Sequence, residues 1–209
     1  MKKLIIFSAC LFQISMVLSQ SMNLGVKLGY NSSNISTDFQ IVKESKKAVS
    51  GLHAGIVLDI PLSDLLSLQP QIVYGKKGVY FKPSHSHAVD VRSLDLPILL
   101  NFRTKSGVFA GIGPNLGYNI SAKNTATFPD KVEVKKYKFT DDPYEYKRWD
   151  LGLMASLGYI HSSGLFASVN YLKGLNKVSN LPDNTWSSNT LSFSLGYLIQ
   201  KKESVEKIN

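Results

Sequence analysis

Apolar and polar residues alternate with a period of two through most of this chain, most clearly over residues 95–122. Leu94, Leu96, Ile98, Leu100 and Phe102 share one parity; Asp95, Pro97, Leu99, Asn101 and Arg103 share the other. After Thr104-Lys105-Ser106-Gly107 the pattern resumes. Val108, Ala110, Ile112, Pro114, Leu116, Tyr118 and Ile120 alternate with Phe109, Gly111, Gly113, Asn115, Gly117 and Asn119. Successive side chains leave a strand on opposite faces, so this predicts two β-strands joined by a tight turn. One face is continuously apolar, and the other is mainly small or polar. A bilayer offers no water to unpaired backbone groups, so strands of this kind span it only when closed into a barrel.

Six further runs repeat the pattern. Leu24, Val26, Leu28 and Tyr30 oppose Gly25, Lys27 and Gly29; Leu52, Ala54, Ile56 and Leu58 oppose His53, Gly55, Val57 and Asp59. Leu66, Leu68, Pro70, Ile72 and Tyr74 form a third apolar row. Later runs carry Trp149 to Tyr159 opposite Asp150, Leu165 to Tyr171, and Leu191 to Ile199. The connections between the eight runs alternate in length. Residues 32–49, 76–92, 123–147 and 173–189 are long; residues 61–64, 104–107 and 161–164 are only turns. The expected fold is all-β: an eight-stranded antiparallel up-and-down transmembrane β-barrel with short periplasmic turns and four long extracellular loops. Tyr30, Tyr74, Tyr118, Trp149 and Tyr197 stand near strand ends, as interfacial girdles require. A ten-residue strand is ~33 Å long and, tilted by ~40°, spans the ~25 Å apolar band of such barrels. A soluble barrel of lipocalin type would also alternate, with its apolar face turned inward around a ligand. Its outer face would then be charged on every strand. Here the polar face is instead rich in Gly, Asn, Ser and Gln, small enough to fill a narrow lumen.

The ends of the chain refine this picture. Lys2 and Lys3 precede the apolar run 4–18, and Val17 and Ser19 suit the −3 and −1 positions of a signal-peptide cleavage site. The expected division is a leader over residues 1–19, a barrel over 20–200 and a charged tail over 201–209. Cys10 is the only cysteine, so the mature chain has no disulfide, thiolate metal site or thiol nucleophile. Phe7-Ser8-Ala9-Cys10 lies too near the N-terminus to serve as a lipoprotein box. A mean hydropathy near zero does not count against a membrane barrel, whose apolar residues are hidden in alternation.

Several motifs together resemble one family. They are Gly25-Val26-Lys27-Leu28-Gly29, Gly51-Leu52-His53-Ala54-Gly55, Leu68-Gln69-Pro70-Gln71, Leu94-Asp95-Leu96-Pro97-Ile98-Leu99-Leu100, Gly111-Ile112-Gly113-Pro114-Asn115-Leu116-Gly117-Tyr118 and Gly152-Leu153. In this order they look like the PorT-type outer-membrane β-barrel family common in Bacteroidetes, over essentially the whole mature chain. The resemblance implies an eight-stranded barrel in the outer membrane of a diderm bacterium. Most members of that family have no assigned activity. The namesake is linked to protein secretion, a role that nothing in these residues carries over. One departure is the tail: outer-membrane strands usually end a chain on an aromatic, whereas residues 201–209 continue past the last strand.

The candidate chemistry begins with inward-facing charges: Lys27, Asp59, Asp95, Arg103 and Asp150. They would form either a polar network plugging the interior or the lining of a narrow solute channel. Eight-stranded barrels have interiors just filled by side chains, and charges out of bulk water need partners, which favours the plug. Lys27 and Asp59 lie on neighbouring strands and form one candidate pair. His161-Ser162-Ser163 invites comparison with an outer-membrane hydrolase, but no acid stands near to complete a triad. His85, His87 and Asp90 lack further ligands at zinc spacing. Asp141-Asp142 lacks the glycine and ligand spacing of a calcium loop. No catalytic residue, cofactor or metal is therefore expected. The net charge is +9, and basic residues outnumber acidic ones in the long loops. That excess suits outer-membrane lipid and lipopolysaccharide phosphates rather than nucleic acid, since no aromatic-interleaved basic signature is present. Other expected partners are the outer-membrane assembly machinery and an unidentified extracellular ligand. The expected state is a monomer.

On this reading, the mature protein from fractionated outer membranes runs faster on gels before boiling than after. A soluble periplasmic protein with no mobility shift would overturn the inside-out assignment.

Overall fold

The computed structural model describes residues 22–36, 46–81, 86–128, 130–137, 147–176 and 187–199. They form nine strands, with no helix among the described residues: β1 (Asn23–Ser36), β2 (Lys46–Pro61), β3 (Leu66–Phe81), β4 (Ser86–Arg103), β5 (Val108–Thr127), β6 (Val132–Tyr137), β7 (Trp149–Ile160), β8 (Leu165–Gly174) and β9 (Ser187–Ile199). All pairings are antiparallel. The order β4-β3-β2-β1-β9-β8-β7-β5 is closed by a β4–β5 ladder. Eight strands thus make a complete barrel. The ninth, β6, pairs with residues 122–127 of β5, above the point where β7 leaves that strand.

The three short connections are tight because they close on themselves. In two of them a glycine adopts the left-handed region: Gly107 (φ 94°) and Gly164 (φ 92°). A side chain there would be strained and would also strike the carbonyl oxygens of Ile160 and Leu198. Those close approaches have a use. Gly107 O accepts from Ile160 N, and Gly164 O accepts from Leu198 N, each at 2.8 Å, which stitches each turn to the neighbouring strand. The third turn is held by Leu62 N donating to Leu66 O, with Ser63 Oγ accepting from Leu66 N.

The faces follow the alternation. Leu28 (63% exposed), Leu52 (70%), Ile112 (54%) and Leu195 (57%) cover the outside. A wall this apolar on every strand matches lipid, not water. At the loop end, Tyr74, Leu94, Tyr118 and Trp149 form one continuous register row across four strands. Tyr118 and Trp149 meet edge to face at 4.9 Å.

Two expectations need correction. The loop expected over residues 76–92 is largely strand, and the one expected over 123–147 is strand in part: β3 reaches Phe81, β4 starts at Ser86, β5 reaches Thr127, and β6 is additional. Similarly, β1 and β2 extend into residues 32–49. Apolar alternation stops where the lipid stops, but the backbone ladder continues above it with polar residues on the outer face. The lumen is also less polar than expected. Its turn end is floored by Val57, Phe109, Ile160, Phe166 and Leu198, with Leu99, Met154 and Leu172 packed separately. The Phe109 and Phe166 rings pack against Gly158 and Gly196, where any Cβ would collide with them.

Replacing Ile112 by lysine tests which way the wall faces. We expect a loss of about 2–4 kcal/mol near the bilayer midplane, measured by urea unfolding from phosphatidylcholine vesicles. A wall facing water would tolerate the lysine.

Candidate functional site: the filled interior

Inward positions on eight strands converge on one narrow space, so chemically active side chains meet there. Above the apolar floor, Arg103 Nη2 donates to Asp59 Oδ1 at 2.8 Å, and the Asp59 side chain is fully buried. Gln69 Nε2 reaches the same oxygen at 3.5 Å. Gln71 Nε2 donates to Gln69 Oε1 at 2.9 Å, and Lys27 Nζ donates to Gln71 Oε1 at 2.6 Å. This chain of contacts runs up the β1–β4 side of the lumen.

A second centre lies nearer the loop end. Lys77 Nζ donates to Asp95 Oδ1 at 2.6 Å, with both side chains almost wholly buried. Asn115 Nδ2 donates to the same oxygen, and Ser93 Oγ donates to Oδ2, each at 3.1 Å. Asp150 enters from β7 across Gly117, whose register partners are Asp95 on one side and Asp150 on the other. Gly117 leaves room for both side chains, because a Cβ there would lie 2.9 Å from Asp95 Oδ1 and 3.2 Å from Asp150 Cβ. The opposite wall is neutral: His53 Nε2 bonds Ser194 Oγ at 2.9 Å, Asn170 Nδ2 reaches Ser194 at 3.3 Å, and Ser156 Oγ donates to Asn170 Oδ1 at 2.7 Å.

Three cations (Lys27, Lys77, Arg103) and three carboxylates (Asp59, Asp95, Asp150) therefore share the interior, leaving its formal charge balanced. Between Lys27, Asn31, His53, Lys77, Asp95 and Asn170 lies a cavity of about 20 Å³. A single water needs about 10–15 Å³ on the same measure. Side chains occupy nearly all the space around this second centre.

All five expected interior charges line this space, but the expected Lys27–Asp59 pair does not form. Lys27 sits opposite Gly55 in the β1–β2 register, while Asp59 sits opposite Asn23. Four residues of strand separate them, about 13 Å along the ladder. Each finds another partner. Lys77 had been placed in a loop; it continues the inward parity of Val73 and Gly75, and that parity was the available signal. Gln69, Gln71 and His53 are likewise part of the network.

The other candidates stay apart. His161 Nδ1 and Ser163 Oγ are 2.9 Å apart on an exposed turn, and no carboxylate joins them among the described residues. Asp90 is held by Lys76 at 2.9 Å on the outer face. His85, Asp141, Asp142 and the side chain of His87 lie outside the described residues, as do the leader and the tail. Among the described residues, no three His, Cys, Asp or Glu side chains gather as metal ligands would.

The chain matches the family model described as "Outer membrane protein beta-barrel domain" over residues 18–180. Its structure is similar to that of Neisserial surface protein A, with a TM-score of 0.52 and 15% identity, covering 83% of this chain and 96% of that one. It is also similar to Ail, the attachment invasion locus protein of Yersinia pestis: TM-score 0.50, 14% identity, 86% of this chain and 99% of that one. Ail is also known in complex with the heparin analogue sucrose octasulfate. At such identities the likeness is one of fold. No curated protein matches the chain in sequence.

The network makes unequal demands on its lysines. Lys77→Met strands a buried carboxylate and is expected to cost about 3–5 kcal/mol, whereas Lys27→Met breaks a bond to a neutral amide and should cost about 2 kcal/mol. Urea unfolding in vesicles measures both. Adding Asp95→Asn to Lys77→Met should recover most of the loss; equal costs for the two lysines, with no recovery, would show that Asp95 does not depend on Lys77.

Proposed function

The chain belongs to the family of outer membrane protein β-barrel domains, and from this we propose that it is a sealed, non-enzymatic barrel whose loop end carries a binding or adhesive role. The packed interior carries this reading: the Lys77–Asp95 and Arg103–Asp59 pairs stand within the lumen, and the cavity beside Lys77 and Asp95 measures only about 20 Å³. A narrow channel, the first alternative, needs a continuous wet path that these side chains occupy. A lipid or peptide hydrolase needs nucleophile, base and orienting acid together, and the exposed His161–Ser163 pair has no such acid among the described residues.

The same reading includes export through the leader over residues 1–19, assembly by the outer-membrane machinery and a monomeric state. Kinship with the PorT-type branch and an origin in Bacteroidetes rest on the motifs quoted above. An accessory role in secretion is not part of the proposal. With the barrel as anchor, recognition falls to the loop end, where β3 to β6 rise beyond the aromatic row.

Purified protein in planar bilayers should show no stable large-conductance steps. Reproducible nanosiemens openings would sink the sealed-barrel reading and establish the channel.

A further inference from the structure

The barrel wall is uneven. On the loop side, β3, β4 and β5 run well above the row of Tyr74, Leu94, Tyr118 and Trp149, and β6 widens the sheet they form. Outward parity on β4 continues from Leu94 to Arg92 and then Asp90. Arg92 is the register partner of Lys76. Asp90 is the partner of Lys123, and Lys123 of Lys136, so these residues share the outer face. Arg92, Lys123 and Lys136 are exposed, and Lys76 is partly so. Asp90, bonded to Lys76, is the one acid among them. Below, Arg148 stacks over the Tyr118 ring at 5.3 Å and donates to its hydroxyl at 2.9 Å, bringing another cation to the aromatic row.

Height decides what this patch meets. Two residues of tilted strand rise about 5 Å, so Lys76 and Arg92 stand about 5 Å, and Lys123 and Lys136 about 10 Å, above the aromatic row. The polar headgroup layer occupies roughly 5–8 Å on each side of the hydrocarbon. Lys76 and Arg92 therefore lie at the level of lipid phosphates, and Lys123 and Lys136 stand just above it, within reach of their long side chains, over an apolar wall that continues down through Leu96 and Leu116. Elsewhere on the rim the comparable outward positions on β1, β2 and β9 are the uncharged Ser32, Ser50 and Asn189, with the Tyr30 hydroxyl bonded to Ser50, and β8 carries Lys173 there.

We propose that the outer face of the β3–β6 sheet binds the phosphate groups of an outer-leaflet lipid of the lipopolysaccharide class, through Lys76, Arg92, Lys123 and Lys136. The occupant is a lipid because the charges continue an acyl-facing wall; a soluble polyanion would not need the apolar surface beneath. Arginine and lysine suit phosphate oxygens, as a bidentate fork and as point charges. The inference rests on the outer-membrane barrel reading and names a ligand for its loop end.

The test uses the full mature protein in detergent micelles, with bound lipid counted by native mass spectrometry. The probes are lipopolysaccharide, the same lipid enzymatically stripped of phosphate, and a heparin fragment. K76Q/R92Q/K123Q/K136Q should bind the phosphorylated lipid at least about tenfold more weakly than the native protein, since each cation near anionic headgroups contributes to the affinity. K173Q, on the far wall, should bind normally, and stripped lipid should bind both proteins equally weakly. Unchanged lipid binding by the quadruple variant overturns the proposal. So does a loss confined to heparin, which would assign the patch to a sulfated glycan. The gel shift on boiling keeps the two readings separate. A variant that retains the shift yet binds lipid normally defeats the lipid site alone, whereas a native protein with no shift defeats the barrel.

Discussion

Backbone hydrogen bonding without water is the constraint on which everything else here depends. In hydrocarbon, an unpaired N–H or C=O costs several kcal/mol, so a sheet with two free edges cannot sit in a bilayer. The ladder between β4 and β5 removes those edges from the eight-stranded wall. Once the ring is closed, the pleat has only two destinations for side chains: outward into lipid or inward into a narrow lumen. Period-two alternation is the sequence form of that choice. The tight turns obey the same constraint, since their carbonyls are used by the adjacent strand instead of being left open.

Closure at eight strands also settles the character of the interior. The ring is just wide enough for side chains to fill, and polar groups held there must satisfy one another. The result is layered. Apolar rings floor the turn end, Arg103 and Asp59 sit above them, and Lys77, Asp95 and Asn115 converge nearer the loops. Balanced charge makes such a filling tolerable, because an isolated buried charge would not be. A barrel packed in this way suits the anchoring role proposed above, with recognition left to the loop end.

The unequal strand lengths give that outside region its shape. β5 has 20 residues and β4 has 18, whereas β8 has 10 and β7 has 12. One wall therefore stands above the lipid as a sheet, and on β3 and β4 its outer face changes within two residues from Tyr74 and Leu94 to Lys76 and Arg92. Lipid contact and headgroup contact become adjacent segments of the same strands. Arg148 on Tyr118 joins the two, with a charged group supported on an aromatic face at the boundary.

The sequence by itself determined the eight strands of the barrel wall, the parity of each face, the three turns and the inward direction of Lys27, Asp59, Asp95, Arg103 and Asp150. All of these are local: alternation and turn chemistry act between near neighbours in the chain. It did not reveal where strands end above the lipid, because there the outer face is polar and a ladder looks like a loop; Lys77 and β6 were hidden for that reason. Nor did it reveal which inward charges meet. Arg103 reaches Asp59 from two strands away, and Lys27 turns to Gln71 although Asp59 lies on the next strand. Those pairings depend on register and on the stagger of a closed barrel, which place residues by height and angle and not by distance along the chain. Only the tertiary structure decided them.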